Sequence, residues 1–357
     1  MNPIIVRKKI EGLLKYSEFR HDLKNGASQN QHGIMLVCAP SHGNLGDHAI
    51  SIAELQALQA LQALHPELKY IDLTDRQTGR IEKLYGRNAP SNMVVAIHGG
   101  GFLGSLWPQG EYRFRRTLQA FPNNKVIVFP QTITFDFETD EGKAFLKESQ
   151  KIYSSHSDLT VFVREKKSYA LMQEYFPTVK CILVPDIVTL LDIPLEQKER
   201  SGILFCMRRD LEKTLDKDCI KMMQDAVRKK YPDEEILFTD TVIGDENTYI
   251  DPEDSEMYVT KKLEQFKGSK LVVTDRLHGM AFAALTDTPC IAMNNSNGKV
   301  RAVYDWIRGN EYIRFVDSVG DFSAQLEGLD LEKRYHYNRN LVEKAFEPLF
   351  KELEGTI

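Results

Sequence analysis

The densest set of side chains able to handle protons and anions lies in KLVVTDRLHGMAFAALTDTPCIAMNNSNGKV, Lys270–Val300. An apolar strand runs into Thr274, Asp275 and Arg276, His278 and Gly279 open an apolar helix, and a second strand ends in a polar loop, Asn294–Lys299. Two adjacent strand ends therefore deliver Arg276, His278, Asn294, Asn295 and Lys299 to one rim. An imidazole there can give or take a proton near neutral pH, and the guanidinium and ammonium attract phosphate or carboxylate. A lone histidine is more often structural. This one lies between an arginine and a glycine, beyond a strand end and at a helix start, which favours a role in a site.

Three other stretches carry chemistry. VFVREKKSY places Arg164 at the carboxyl end of a strand, where it can pair with an anion or bridge to Asp186 in VPDIV. SHGNLGDHAI, Ser41–Ile50, follows the first strand: Gly43 and Gly46 allow a tight turn and Asp47 is placed to cap the next helix. Its exposed N–H groups also suit an anion or hydroxyl, with His42, Asp47 or His48 in reach. HGGGFLG, His98–Gly104, removes side-chain bulk just beyond a strand, as close approach of a ligand requires. It lacks the ribose-binding acidic residue of a dinucleotide fold, so a nicotinamide dehydrogenase is poorly supported.

The elements that must position these residues alternate strand and helix in both halves, the pattern of an α/β protein with parallel sheets. Strands are expected at Gly33–Pro40, Lys69–Leu73, Met93–His98, Lys125–Pro130, Leu159–Arg164 and Cys181–Pro185. After a linker, Leu190–Ser201, a second series follows: Gly202–Met207, Glu235–Thr239, Lys270–Thr274, Pro289–Met293 and Tyr312–Phe315. A long last helix is expected from about Leu331 to Glu354. The length of 357 residues favours two domains, 1–195 and 196–357, as Rossmann-like units facing a cleft. Ligands of such sheets bind beyond the carboxyl ends of the strands.

A net charge of −5 argues against nucleic acid as a partner, so any anionic ligand must be held by local cations. The five cysteines contain no CxxC pair and read as free, buried thiols. No cluster of His, Cys and carboxylate has metal-ligand spacing. No apolar run approaches the roughly 20 residues of a membrane span or the pattern of a signal peptide, and a cytoplasmic protein is expected. The basic amphipathic segment Ile4–Tyr16 is suited to packing on the protein's own core; peripheral contact with the inner face of a membrane is its second use.

Taken in order, GNLGDHAI, HGGGFLG, the FPQT of Phe129–Thr132, VREKKSY, VPDIV and TDRLHGM resemble the polysaccharide pyruvyl transferase family, from about Gly33 to Arg301. The resemblance implies a GT-B-like arrangement, phosphoenolpyruvate as donor, no cofactor and no metal. It implies His278 as the catalytic residue, with Arg164 and Lys299 on the donor. Arg276 and Asn294 share the donor rim. A sugar or lipid-linked oligosaccharide acceptor is expected on Asn44, Asp47, Gly100, Gly101 and Gln131, with Trp107 and Tyr112 available to stack on a sugar ring. Two alternatives compete: a GT-B glycosyltransferase using a nucleotide sugar, and a saccharide-binding member without catalysis. Retention of Arg164, His278 and Lys299 together argues against the second.

Overall fold

The computed structural model describes residues 3–26, 31–208, 215–245, 248–294 and 298–356. The chain forms two compact units: Met1–Ser41, Ile50–Ile187 and Ala345–Ile357 make the first, His42–Ala49 and Val188–Lys344 the second. The division falls at 187/188 rather than 195/196, and two segments group differently from the simple halves expected. The loop His42–Ala49 belongs with the second unit, and the C-terminal residues belong with the first.

In the first unit β1 (Gly33–Ala39), β2 (Lys69–Thr74), β3 (Met93–Ile97), β5 (Val126–Thr134), β6 (Leu159–Val163) and β7 (Lys180–Leu183) form a parallel sheet in the order β2-β1-β3-β5-β6-β7. β1 and β3 are buried almost throughout because parallel strands are covered on both faces, which is why they read as apolar runs. The stretch expected as a glycine loop is instead β4 (Gly100–Gly104), also paired in parallel with β5. After His98 and Gly99 the chain re-enters the ladder alongside the long β5. Gly100 and Gly104 take left-handed φ of 121° and 98°, which a side chain would resist.

Helix α1 (Pro3–Gly26) packs on the unit's own core. It buries Tyr16, Phe19 and Leu23, and its Lys15 pairs with Asp72 on β2. No helix among the described residues is long and apolar enough to cross a membrane. Helix α2 (Leu45–Leu64) follows β1, α3 (Asp75–Tyr85) follows β2, and α4 (Pro108–Ala120) and α5 (Asp140–Ser155) flank β5 in sequence, with α6 (Lys166–Tyr175) after β6.

A buried ionic cluster pins β4, α4 and α5 together. The Glu111 carboxylate accepts from Gly104 N–H (2.9 Å), Arg115 Nε (3.1 Å) and the Tyr153 hydroxyl (2.8 and 2.9 Å). Arg115 also donates to Phe145 O (2.7 Å), and its guanidinium lies 4.0 Å from the Phe145 ring centre. Burial, and the negative charge of Glu111 beside it, push the Tyr153 hydroxyl well above its usual range.

The second unit carries β8 (Ile203–Cys206), β9 (Ile236–Thr239), β10 (Leu271–Thr274), β11 (Cys290–Met293) and β12 (Ile313–Val316), all parallel, in the order β12-β11-β10-β8-β9. Its helices are α7 (Lys217–Lys230), α8 (Ser255–Lys267), α9 (Leu277–Leu285), α10 (Lys299–Ile307), α11 (Phe322–Glu327) and α12 (Asn340–Glu343).

The long last helix does not form. Leu331–Arg339 is irregular, and only α12, one 3₁₀ turn and α13 (Glu347–Glu354) are helical. Tertiary hydrogen bonds outcompete the helix there: Tyr337 N–H donates to Asp287 Oδ1 (2.7 Å) and Asn338 N–H to Asn310 Oδ1 (2.8 Å). α13 groups with the first unit, where Glu352 pairs with Lys125 (2.6 Å) and Lys180 and accepts from Thr160 (3.1 Å).

Removing the Glu111 carboxylate would leave the buried Arg115 with only the exposed Glu148 as a carboxylate partner (2.9 Å) and take the acceptor from the buried Tyr153 hydroxyl. Glu111→Ala is therefore expected to cost about 1–3 kcal/mol or more, read as a lower urea midpoint by circular dichroism. A midpoint within error of wild type would show that Glu148 alone suffices to hold Arg115.

Candidate active site

In the second sheet the winding reverses between β8 and β10, so their carboxyl ends open the crevice where such sheets bind ligands. β8 runs into Arg208 and β10 into Asp275, Arg276 and His278. Arg208 N–H donates to Asp275 Oδ1 at 2.8 Å. Burial pushes the Asp275 carboxyl above its usual range, opposed by that N–H and by the charges of Arg208 and Arg276. Arg276 is buried, with its N–H on Thr274 Oγ1 (3.0 Å) and a guanidinium nitrogen 2.8 Å from Asp240 Oδ2.

Asp240 follows β9 and was not among the residues singled out from the sequence, although a position just beyond a strand end is where a site residue is sought. Its second oxygen accepts Val242 N–H at 3.1 Å. That fixes the segment Thr241–Ile243, which in turn receives the glycine loop: Leu45 N–H bonds Thr241 O (2.9 Å), Ile243 N–H bonds Gly43 O (2.8 Å), and Asn44 bridges to Val242. The loop is thereby laid against His278. A Cβ on Gly46 would fall 1.9 Å from His278 Nδ1, so only glycine permits the approach.

Within this loop the helix cap is Asn44, not Asp47. Asn44 Oδ1 accepts Gly46 N–H (3.1 Å), and its amide nitrogen donates to Asp47 Oδ2 (2.8 Å), placing Asp47 in the first turn of α2. His48 is committed to structure. Its Nε2 must carry the proton to bond His42 O (2.7 Å), and Nδ1 then accepts from Ser255 Oγ (2.7 Å). His42 is exposed, 3.6 Å from Asp47.

Lys299 opens α10, where Gly298 adopts a left-handed φ of 78°. Asn294 follows β11 and accepts Arg301 N–H at 3.4 Å. Asn295 lies outside the described residues. The second unit thus holds Asn44, Asp47, Arg276, His278, Asn294 and Lys299.

The first unit holds the others. At the corresponding reversal, between β1 and β3, His98 and Gly99 meet Glu54 of α2: His98 Nδ1 lies 2.7 Å from Glu54 Oε2, and Gly99 N–H donates to Oε1 at 2.7 Å. Gln131 is fully buried and spends its amide on the glycine turn, donating to His98 O (2.7 Å) and accepting Phe102 N–H (3.4 Å). Gly100 lies beside Gln131 in the β4–β5 ladder, followed by Gly101. Arg164 takes the ion pair that its sequence position allowed. One guanidinium nitrogen is 2.5 Å from Asp186 Oδ2, and Nε donates to Thr132 Oγ1 (2.9 Å). Trp107 and Tyr112 are exposed, with Tyr112 edge-on to Phe145.

Glu54 escaped the sequence reading, yet it had a signal. It sits in the helical stripe Ile50, Glu54, Leu58, Leu61, where a carboxylate interrupts an apolar face. The cysteines are all free, Cys206 and Cys290 buried and the others partly so. Burial pushes the thiols of Cys38, Cys181 and Cys206 up to about 12, which makes them poor nucleophiles.

The tight fit at Gly46 generates a direct test. Gly46→Ala is expected to displace the His278 ring and shift its imidazole C–H resonances by NMR while the far-UV spectrum is retained. Unshifted resonances would mean that the loop yields instead.

Comparison with known proteins gives this geometry its context. The profile of the family described as polysaccharide pyruvyl transferase matches residues 44–297. General stress protein 30 of Bacillus subtilis is 34% identical over 317 residues, covering 88% of this chain and 90% of that protein. Pyruvyl transferase 1 of Schizosaccharomyces pombe is 25% identical over 288 residues, covering 77% and 70%. A crystal structure of an uncharacterized Klebsiella pneumoniae protein has a TM-score of 0.55 at 20% identity, covering 84% of this chain and 98% of that one, a likeness of fold. The fold class is GT-B-like, with two Rossmann-like α/β units. With the family profile spanning both the loop at Asn44 and the crevice at Arg276–His278, the chain belongs to the polysaccharide pyruvyl transferase family.

Proposed function

We propose that the protein transfers the enolpyruvyl group of phosphoenolpyruvate to a sugar of an exopolysaccharide or cell-wall polysaccharide precursor, leaving a pyruvate ketal and phosphate. The observation that carries this reading is the placement of His278 beside Arg276 at the reversal point of the second sheet, under the Gly46 turn. Phosphoenolpyruvate offers phosphate and carboxylate but little apolar surface, so its affinity must come from charge and hydrogen bonds. Arg276, Lys299 and Asn294 supply them at neighbouring strand ends, and Arg164 is a further donor-binding cation.

His278 acts as the acid. Its proton goes to the enol methylene, the double-bond electrons form the new C–H bond, and the second carbon becomes open to a sugar hydroxyl. A second hydroxyl then adds at that carbon as the C–O bond to phosphate breaks with its electron pair; of the two hydroxyl protons, one restores the acid and the other leaves on phosphate, whose charge the cations stabilise. General acid help of this kind contributes about 10²–10⁴-fold, and preorganised charge often more. The acceptor is assigned to Asn44, Asp47, Gly100, Gly101 and Gln131. Gln131 serves by holding the glycine turn, since both ends of its amide are engaged there. Asp47 reaches the loop surface, where it stays partly exposed.

His278→Gln is expected to bind phosphoenolpyruvate with wild-type affinity by calorimetry and to lose at least about 10²-fold in phosphate release. Arg276→Ala and Lys299→Ala should instead weaken donor binding. Near-normal turnover by His278→Gln would make the histidine structural. Turnover of a nucleotide sugar by wild type without phosphoenolpyruvate would favour glycosyl transfer.

A further inference from the structure

The cation assigned to the donor stands against a carboxylate. Arg276 and Asp240 are 2.8 Å apart, and their side chains are only 8% and 9% exposed. A negative charge in that place works against a donor made of phosphate and carboxylate, because it cancels part of the field that attracts them. Affinity alone would be served better by a neutral acceptor, so the charge of Asp240 answers to something else. Lys262 also feels this charge, but its ammonium donates to Thr239 Oγ1 (2.7 Å) and Gln265 Oε1 (2.9 Å).

The second oxygen supplies the reason. Asp240 Oδ1 accepts Val242 N–H two residues on, at 3.1 Å, an Asx turn that shapes the backbone around the buried Thr241. With Val242 N–H turned to the carboxylate, the flanking backbone groups meet the glycine loop: Thr241 O accepts Leu45 N–H at 2.9 Å, and Ile243 N–H donates to Gly43 O at 2.8 Å. The loop is seated closely at two points. A Cβ on Gly43 would fall 2.0 Å from Ile243 O, and one on Gly46 1.9 Å from His278 Nδ1. One carboxylate therefore acts on the His278 ring by two routes, through Arg276 two positions earlier in the chain and through the turn and loop. Every residue along both routes belongs to the second unit.

We propose that Asp240 is a positioning residue for His278, holding Arg276 and the glycine loop in register around the ring. The inference rests on pyruvyl transfer with His278 as the acid. Asp240 acts through Arg276 and the loop rather than on the substrate. Its effect is on rate and opposes affinity: its charge weakens the pull on the donor, while its geometry sets the ring from which the proton leaves. Asparagine is no substitute, since it offers a single acceptor oxygen where the Arg276 guanidinium and Val242 N–H meet different oxygens of the carboxylate.

The test uses the full-length protein with carbon-13 labelled histidine rings, phosphoenolpyruvate, and a panel of methyl hexopyranosides and N-acetylhexosaminides as acceptors. The His278 C–H resonances are identified by their loss in His278→Gln. Asp240→Asn is expected to shift them with the far-UV spectrum retained, to lower kcat for phosphate release by about 10- to 10²-fold, and to leave the donor Kd by calorimetry unchanged or tighter. Asp240→Glu, which restores two acceptor oxygens, should recover part of the rate lost in Asp240→Asn. A merely structural carboxylate would lower thermal stability and weaken the donor along with the rate while the His278 resonances stay in place, and that pattern overturns the proposal. Wild-type kcat in Asp240→Asn overturns it as well. If wild type releases no phosphate with any acceptor of the panel, the pyruvyl-transfer reading itself fails. The resonances then decide the positioning role by themselves, a shift in Asp240→Asn upholding it and unmoved resonances sinking it.

Discussion

The arrangement of the second unit depends on one close approach, that of the Gly46 backbone to the His278 imidazole. A loop held by its own turn alone would not keep such a distance. Here Asp240 makes it a fixed feature: one oxygen neutralises Arg276, the other anchors Val242, and the segment between Thr241 and Ile243 takes the loop in by backbone bonds at both flanks. The same carboxylate therefore orders the cation and the wall of the histidine pocket. The Arg276 and Asp240 side chains are only 8% and 9% exposed, so their ion pair is little screened by water and ties the pocket's shape to its electrostatics.

The two units solve a similar problem with different partners. In each, buried charged or titratable groups gather where strands end: Arg208, Asp275 and Arg276 in one, His98 with its partner Glu54, Arg164 and Asp186 in the other. Elsewhere the strands are lined by apolar side chains, and the sheet cores are continuous clusters of Val, Ile, Leu and Phe. Strand ends are the places where the ladder stops and backbone N–H groups become available, as with Gly99 on Glu54 and Arg208 on Asp275. Ionised side chains can be buried there because hydrogen bonds are at hand to offset lost hydration. The glycines at 46 and 99 complete the pattern, each admitting a neighbour that a methyl group would exclude.

Much of this was legible in the sequence. The strands expected at Met93–His98, Leu159–Arg164 and Lys270–Thr274 lie within a residue of those observed, because parallel strands covered on both faces must be apolar along their length. The strand-end rule then located Arg164, Arg276 and His278. Three readings went astray where tertiary bonds decided. HGGGFLG joins the sheet because β5 is long enough to offer it a ladder. The segment after Leu331 is pulled out of a helix by Asp287 and Asn310, which are distant in sequence. Asn44 takes the cap expected of Asp47, both residue types being equally fit for it.

The sequence by itself determined the α/β class, the series of strands and the residue types gathered at their ends, since these follow from local periodicity and from where polar residues interrupt it. Only the tertiary structure decided which partners those residues take. Asp240 reaches Arg276 across 36 positions, Glu54 reaches His98 across 44, and Arg164 turns to Asp186 rather than standing open. Pairings over such separations are set by strand order and register, which bring chain ends of different strands to one edge. No local pattern encodes that proximity, so the chemistry could be listed from the chain but its geometry had to come from the fold.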